Sequence, residues 1–142
     1  MHYKFKEDLK QGKEAELELA ARLVQVKGVD DIEFNEDKRY DLKVFSEDES
    51  YTIEVKWDMK APETGNVAIE FEYRGNPSGI EASEADFWAY KIEDKFYMLS
   101  KDRMSEMIEV ERPSYVIGGD PGSGTKMWLV KLRVFKRWAE EL

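Results

Sequence analysis

The residues best placed to do chemistry lie in two short runs. Asp41 stands in YDLKVF (40–45), and after twelve intervening residues Glu54 and Lys56 stand in YTIEVKW (51–57). Both runs are rich in β-branched and aromatic residues and alternate with a period of two, which predicts strands. Alternation then puts Asp41, Lys43 and Phe45 on one face of the first strand and Tyr40, Leu42 and Val44 on the other. In the second strand Tyr51, Ile53 and Val55 share the apolar face, while Thr52, Glu54 and Lys56 share the opposite one. If the strands pair through the acidic turn SEDES (46–50), Asp41 and Glu54 become neighbours. Two like charges so placed repel unless a cation sits between them. Mg²⁺, with Mn²⁺ as a substitute, prefers oxygen ligands and takes one or two carboxylates; Asp41, Glu54 and the main-chain carbonyl of Val55 would supply such a set. Lys56 is then left to face a metal-bound water or a phosphate. Those parts suit hydrolysis of a phosphodiester, in which a metal activates water and the lysine stabilises developing charge.

A third acid comes from the predicted first helix, residues 7–27, where Leu9, Leu19, Ala20, Leu23 and Val24 recur near helical spacing and Gly28 stands beyond as a stop. Glu16 shares the face of Leu19, Ala20 and Leu23, whereas Glu14 and Glu18 fall on a polar stripe with Arg22 and Gln25. A carboxylate on the apolar side of a helix is costly unless paired or metal-bound. Glu16 is therefore expected to be a ligand or an acid just behind the ligands. His2 is the one histidine of the chain, which excludes multi-histidine metal sites.

Positioning these groups takes a sheet and its covering helices. Further strands are predicted at IEFNE (32–36), VAIEFEY (67–73), KFYMLS (95–100) and 127–135. Helices are predicted at Ser83 to Tyr90, where Ser-x-x-Asp reads as a capping box, at KDRMSEMIEV (101–110), and at the C-terminal end. A mixed central sheet flanked by helices follows, in the α/β or α+β class, as a single domain over residues 1–142.

Tyr40-Asp41 followed by Glu54-Val55-Lys56 resembles the bipartite Asp…Glu-x-Lys signature of the PD-(D/E)XK, or restriction-endonuclease-like, nucleases, with Tyr40 where proline is nominal. Gly12-Lys13-Glu14-Ala15-Glu16 is similar to the helix start of the Holliday-junction-resolvase relatives of archaea and phages. TGNVAIEFEYRGNPSGIEASEADFWAY (64–90) resembles a segment of small phage-encoded members. The resemblance covers roughly residues 12–100. It implies an α-β-β-β-α-β core, Mg²⁺ or Mn²⁺, DNA as substrate, a homodimer, a viral origin and work in DNA processing in the host cytoplasm. It also carries the helix glutamate of those relatives onto Glu16.

Composition pulls the other way in one respect. The formal net charge is −9, and phosphate binding normally needs a basic footprint. Residues 126–138, KMWLVKLRVFKRW, nevertheless hold five cations and no acid. On the predicted strand there, Lys131 and Arg133 oppose an apolar face of Trp128, Val130, Leu132 and Val134, which makes them backbone contacts or a dimer rim. Lys60 and Arg74, in loops after their strands, either hold a phosphate or solubilise a turn. The same strand acids in a surface ion-pair role, or a non-catalytic DNA-binding protein on the same fold, are the competing readings. Glu72 reads as the solvated side of its strand, with Glu70 left open. The Gly-rich stretch 118–125 departs from a nucleotide-binding loop, because Thr-Lys replaces Lys-Thr and a strand follows. There are no cysteines and no apolar run of membrane-spanning length, so an intracellular chain with no membrane insertion is expected.

Overall fold

The computed structural model describes residues 2–36, 39–118 and 124–142, with side chains from residue 10 onward. The predicted Gly-rich stretch lies mostly outside the described residues, as do the side chains of His2 and Leu9. In chain order the elements are α1 (His2–Leu23), β1 (Asp31–Phe34), β2 (Leu42–Ser46), β3 (Glu49–Trp57), the one-turn α2 (Ala61–Thr64), β4 (Asn66–Tyr73), β5 (Asn76–Pro77) and a 3-10 turn (Gly79–Glu81). There follow β6 (Phe87–Ile92), β7 (Lys95–Ser100), α3 (Lys101–Glu111), β8 (Tyr115–Gly118), β9 (Thr125–Lys131), α4 (Leu132–Trp138) and β10 (Glu140–Glu141).

The described strands form a six-stranded sheet in the order β1-β2-β3-β6-β7-β10 and a four-stranded sheet in the order β5-β4-β9-β8. The larger sheet is mixed: β3 and β6 run parallel and its other pairs run antiparallel. One face buries Leu42, Val44, Ile53, Ala89 and Phe96 against Leu19, Ala20 and Leu23 of α1. The other buries Trp88, Tyr90 and Leu99 against Val67, Ile69 and Val130 of the small sheet, with Met104 and Met107 of α3 and Phe135 of α4. The fold is thus α+β, a central mixed sheet with helices on both sides. Among the described residues no helix is long and apolar enough to cross a membrane.

Three expectations are corrected. Residues 83–90 are not a helix: the chain is extended into β6, and five of its six residues are buried. A strand covered on both faces loses the polar alternation that marks strands, and FWAYKI then reads equally well as a buried helix. The supposed capping residues have other work. Ser83 Oγ accepts from Ala85 N and Trp88 Nε1, and the Asp86 carboxylate accepts from Thr52 N at 2.9 Å, lashing the entry of β6 to β3. The strand expected over 127–135 stops at Lys131, so Arg133 lies on α4; Leu132 and Phe135, three apart, pack as a helical pair against the same core. The strand expected at 67–73 does not join the central sheet either, since β4 belongs to the second sheet.

Helix α1 also starts earlier and ends earlier than its pattern implied, so Gly12 falls in a helix interior. Its rotation about its own axis is set by an ion pair absent from the sequence reading. Lys91, buried on central strand β6, puts its Nζ 2.5 Å from Glu18 Oε2 and 3.9 Å from the centre of the Trp57 ring. Arg22 bonds the same glutamate at 3.3 Å. Glu18 is therefore a tether to the sheet and does not belong to a solvated stripe.

The turn before β6 meets β4 at one tight place. Gly79 has φ +52, and a Cβ there would lie 2.1 Å from the Glu70 carbonyl oxygen, next to the irregularity in β4–β9 pairing between Glu70 and Glu72. Backbone cannot yield as a flexible side chain would, so Gly79→Ala is expected to lower stability by at least about 1 kcal/mol in denaturant titration. Gly12 has open space around its missing Cβ. Gly12→Ala is expected to raise stability by up to about 1 kcal/mol, as helix propensity dictates. Equal shifts for the two variants would contradict this placement of α1 and the turn.

Candidate active site

The hairpin of β2 and β3 turns at Glu47, which holds φ +53, and its register pairs Leu42 with Ile53. Carried one residue further, that register sets Asp41 opposite Glu54. Asp41 lies just outside the strand, and four hydrogen bonds keep it there. Its N donates to Ile53 O at 3.0 Å and its carbonyl accepts from Asn35 N at 2.9 Å. Asn35 Nδ2 donates to Tyr40 O at 3.0 Å, and Val55 N donates to Asp41 Oδ2 at 2.7 Å. N–H and C=O of one strand residue point to the same side, so the Val55 carbonyl faces the same end of β2 as its amide.

Burial, then hydrogen bonding to Asp41 and the Asp41 charge, push the Glu54 carboxyl up to about 8, against the pull of Lys56. Glu16 comes from α1, on the opposite face of the sheet, and meets them at the open end of β2. Its side chain is 16% exposed, and burial together with the Asp41 charge push it up to about 7, with Lys13 Nζ opposing from 3.8 Å. Glu14, two residues earlier, is exposed. The inward position expected of Glu16 is what the helix presents.

Val55, Lys56 and Lys60 line a cleft of about 500 Å³ together with Gly12, Asp58, Glu70 and Tyr90. The Lys56 ammonium lies 5.7 Å from the centre of the Trp88 ring, on the Glu54 side of the sheet. Tyr90 is fully buried, and burial raises its phenol well above the ordinary range, with the charges of Asp58, Glu54 and Glu70 adding to it. Asp58 was not singled out in the sequence. Its Oδ1 accepts from Lys60 N and Ala61 N, and its Oδ2 accepts from Ala68 N, so it starts α2 and clips β4 to the cleft wall. The signal was present as an Asp two residues before a Lys-Ala-Pro helix start. Glu70, left open above, lines the cleft; Glu72 pairs with Lys126 at 3.0 Å.

The remaining expected contacts are scattered. Arg74 sits in the β4–β5 turn with φ +49, stacked 5.3 Å over Tyr73, and does not line the cleft. Lys131 and Arg133 line a different groove, with Thr64, Gly65, Asn66 and Lys136.

The donor set beside the cleft is all oxygen, which suits a hard divalent cation. A cation would also offset the repulsion between two neighbouring carboxylates. Among the described residues no three acidic side chains stand together closely enough to chelate an ion. The set that fits is Asp41, Glu54 and the Val55 carbonyl, with Glu16 behind them.

No protein-family model matches the chain, and no curated protein matches it. A solved structure of a bacterial homing endonuclease is similar at 23% identity, with a TM-score of 0.49, over 64% of this chain and 67% of that one.

The raised carboxyls give a pH signature. Each is protonated more tightly in the folded chain than in the unfolded one, whose value is near 4.5. The metal-free protein is therefore expected to be most stable at or below about pH 4.5 with respect to these groups, and to lose that contribution up to about pH 8. Glu54→Gln should flatten the decline, raising the melting temperature at pH 8 and leaving it nearly unchanged at pH 4.5. Parallel pH profiles for wild type and variant would disprove it. Glu18→Gln should cost about 1–3 kcal/mol by leaving Lys91 short of its partner, while Glu14→Gln should be silent in the same melts.

Proposed function

We propose that this chain is a Mg²⁺- or Mn²⁺-dependent DNA endonuclease of the PD-(D/E)XK kind, hydrolysing phosphodiester bonds with Asp41, Glu54, Lys56 and Glu16. The observation that carries the reading is the hairpin register that sets Asp41 opposite Glu54, with Asp41 acting on the Glu54 carboxyl, next to Val55 and Lys56, which line the cleft. An acidic pair whose repulsion one lysine offsets only in part is a costly arrangement for a purely structural surface. Surface cross-strand pairing, the bland alternative, would join acid to base.

Asp41, Glu54 and the Val55 carbonyl would hold the metal, which when bound supplies Lewis acidity and an acidified water. Asp41 is fixed for this by its bond to Val55 N, which orients one oxygen and leaves the other for a ligand. Lys56 would hold the phosphate or orient the nucleophile, a role that asks for a cation on a flexible stem. Glu16, raised to about 7, would accept or return a proton near neutral pH. Lys60, at the start of α2 on the cleft wall, is the contact for a neighbouring phosphate, with Arg74 further out. The same reading takes the protein as a virus-encoded homodimer that processes DNA in the host cytoplasm.

Incubating the protein with linear, single-stranded and branched DNA, in Mn²⁺ or in EDTA, tests the reaction. Cleavage is expected in Mn²⁺ alone, abolished by Asp41→Ala or Glu54→Ala with the circular-dichroism spectrum retained. Glu16→Gln should cut turnover at least about tenfold, since the amide keeps the shape and loses the charge, while Glu14→Gln leaves it intact. DNA binding without cleavage under every metal condition would make this a binding protein on a nuclease-like fold. Full activity in either alanine variant would remove the site.

A further inference from the structure

The break between β9 and α4 has a consequence for charge. Lys131 is the last residue of the strand, where Asn66 of β4 pairs with it, and the next amide, Leu132 N, donates to Gly65 O at 2.8 Å. The helix then presents Arg133 and Lys136, three apart and on one side. With Thr64, Gly65 and Asn66 they line a groove of about 550 Å³ that contains no acid. All three cations are exposed. Among the described residues none of them has an acidic partner, although the chain carries 31 acids to 22 Lys and Arg. The Lys136 ammonium lies 5.4 Å from the centre of the Tyr97 ring. Glu63 precedes the groove-lining Thr64 on α2 without lining the groove itself, and Glu111 borders the adjoining hollow at Arg112 and is held by Trp138 Nε1 at 3.1 Å.

Like charges are not gathered on a small face without a cost in repulsion, and an acidic protein has carboxylates to spare for neutralising them. Leaving three unneutralised around a concave, backbone-rimmed groove is what a polyanion would require. We infer that Lys131, Arg133 and Lys136 form a binding site for the phosphodiester backbone of nucleic acid, physically separate from the acidic cleft and supplying affinity where the cleft supplies chemistry. The two are joined by α2: Lys60 lines the cleft and Thr64 lines the groove, one helical turn apart or roughly 6 Å along the axis. One strand can therefore engage both. The proposal takes DNA from the preceding reading but does not depend on cleavage.

The test is DNA binding in EDTA, where the chemistry is silent. Fluorescence anisotropy of a labelled duplex is measured across a salt series for wild type, for Lys131→Ala/Arg133→Ala/Lys136→Ala and for Lys27→Ala. Each phosphate contact contributes about 0.9 to the slope of log affinity against log salt, so the triple variant should lose about 2.7 of slope and bind at least tenfold more weakly. Lys27→Ala, at an exposed cation just beyond α1, should keep the wild-type slope. Lys131→Gln/Lys136→Gln, which leaves Arg133 in place, should lose about 1.8 and covers the case of a triple variant that does not fold. An unchanged slope in the folded variants overturns the groove. A reduced slope with no cleavage by wild type in any metal keeps the groove and defeats the nuclease reading. The reverse, metal-dependent cleavage with an unchanged slope, keeps the nuclease and defeats the groove.

Discussion

Everything at the cleft depends on how Asp41 is bound to the backbone of β3. Its amide reaches back to Ile53 and its carboxylate takes the amide of Val55, so one residue grips the next strand at two points two residues apart. Those bonds extend the hairpin register past the end of β2, and the register is what brings Glu54 opposite. A slip of one residue would turn Glu54 to the α1 face and Ile53 outward, losing the fully buried Ile53 at roughly 1.5–3 kcal/mol, so core packing enforces the alignment of the acids. The site is thus a by-product of the same pairing that fills the core.

From there the rest of the molecule acts to keep two carboxyl groups together and partly dry. The Glu18–Lys91 pair sets the phase of α1, and Glu16, 200° around the helix from Glu18, is thereby directed to the sheet end where Asp41 lies. Asp58 closes the wall below by starting α2 and holding β4. Burial on these sides is the main reason Glu54 and Glu16 sit so far above their usual range, and the Lys56 ammonium offsets only part of the rise at Glu54.

Legibility in the sequence followed how far each signal was local. The β2–β3 hairpin, the faces of Asp41 and Glu54, and the inward phase of Glu16 were readable because period and turn chemistry fix them within a few residues. Asp41 bonding to Val55 N, and Asn35 pinning the bend, were not, since side-chain acceptors of main-chain amides leave no periodic trace. Two errors have a single origin. FWAYKI and WLVKLRVF are apolar runs in which a period of two and a period of 3.6 both fit, and the tertiary burial that decides between them is non-local. The tether Glu18–Lys91 joins residues 73 apart and could not be seen from the helix alone.

The crossover from β3 to β6 carries a temporal meaning as well. Between these adjacent parallel strands lie α2, two strands of the other sheet and the 3-10 turn, and the clamp from Asp86 to Thr52 closes a loop of 34 residues. The hairpin that holds Asp41 and Glu54 closes over a turn of two residues, Glu47 and Asp48. Loop-closure entropy grows with length, and contacts distant in sequence form late. The carboxyl pair can therefore meet while its surroundings are still open, and the strand bearing Trp88 arrives only once the intervening segment is built. Maturation of the site is then a matter of enclosing acids that already face each other, with the rise in the proton affinity of Glu54 marking the last stage of assembly.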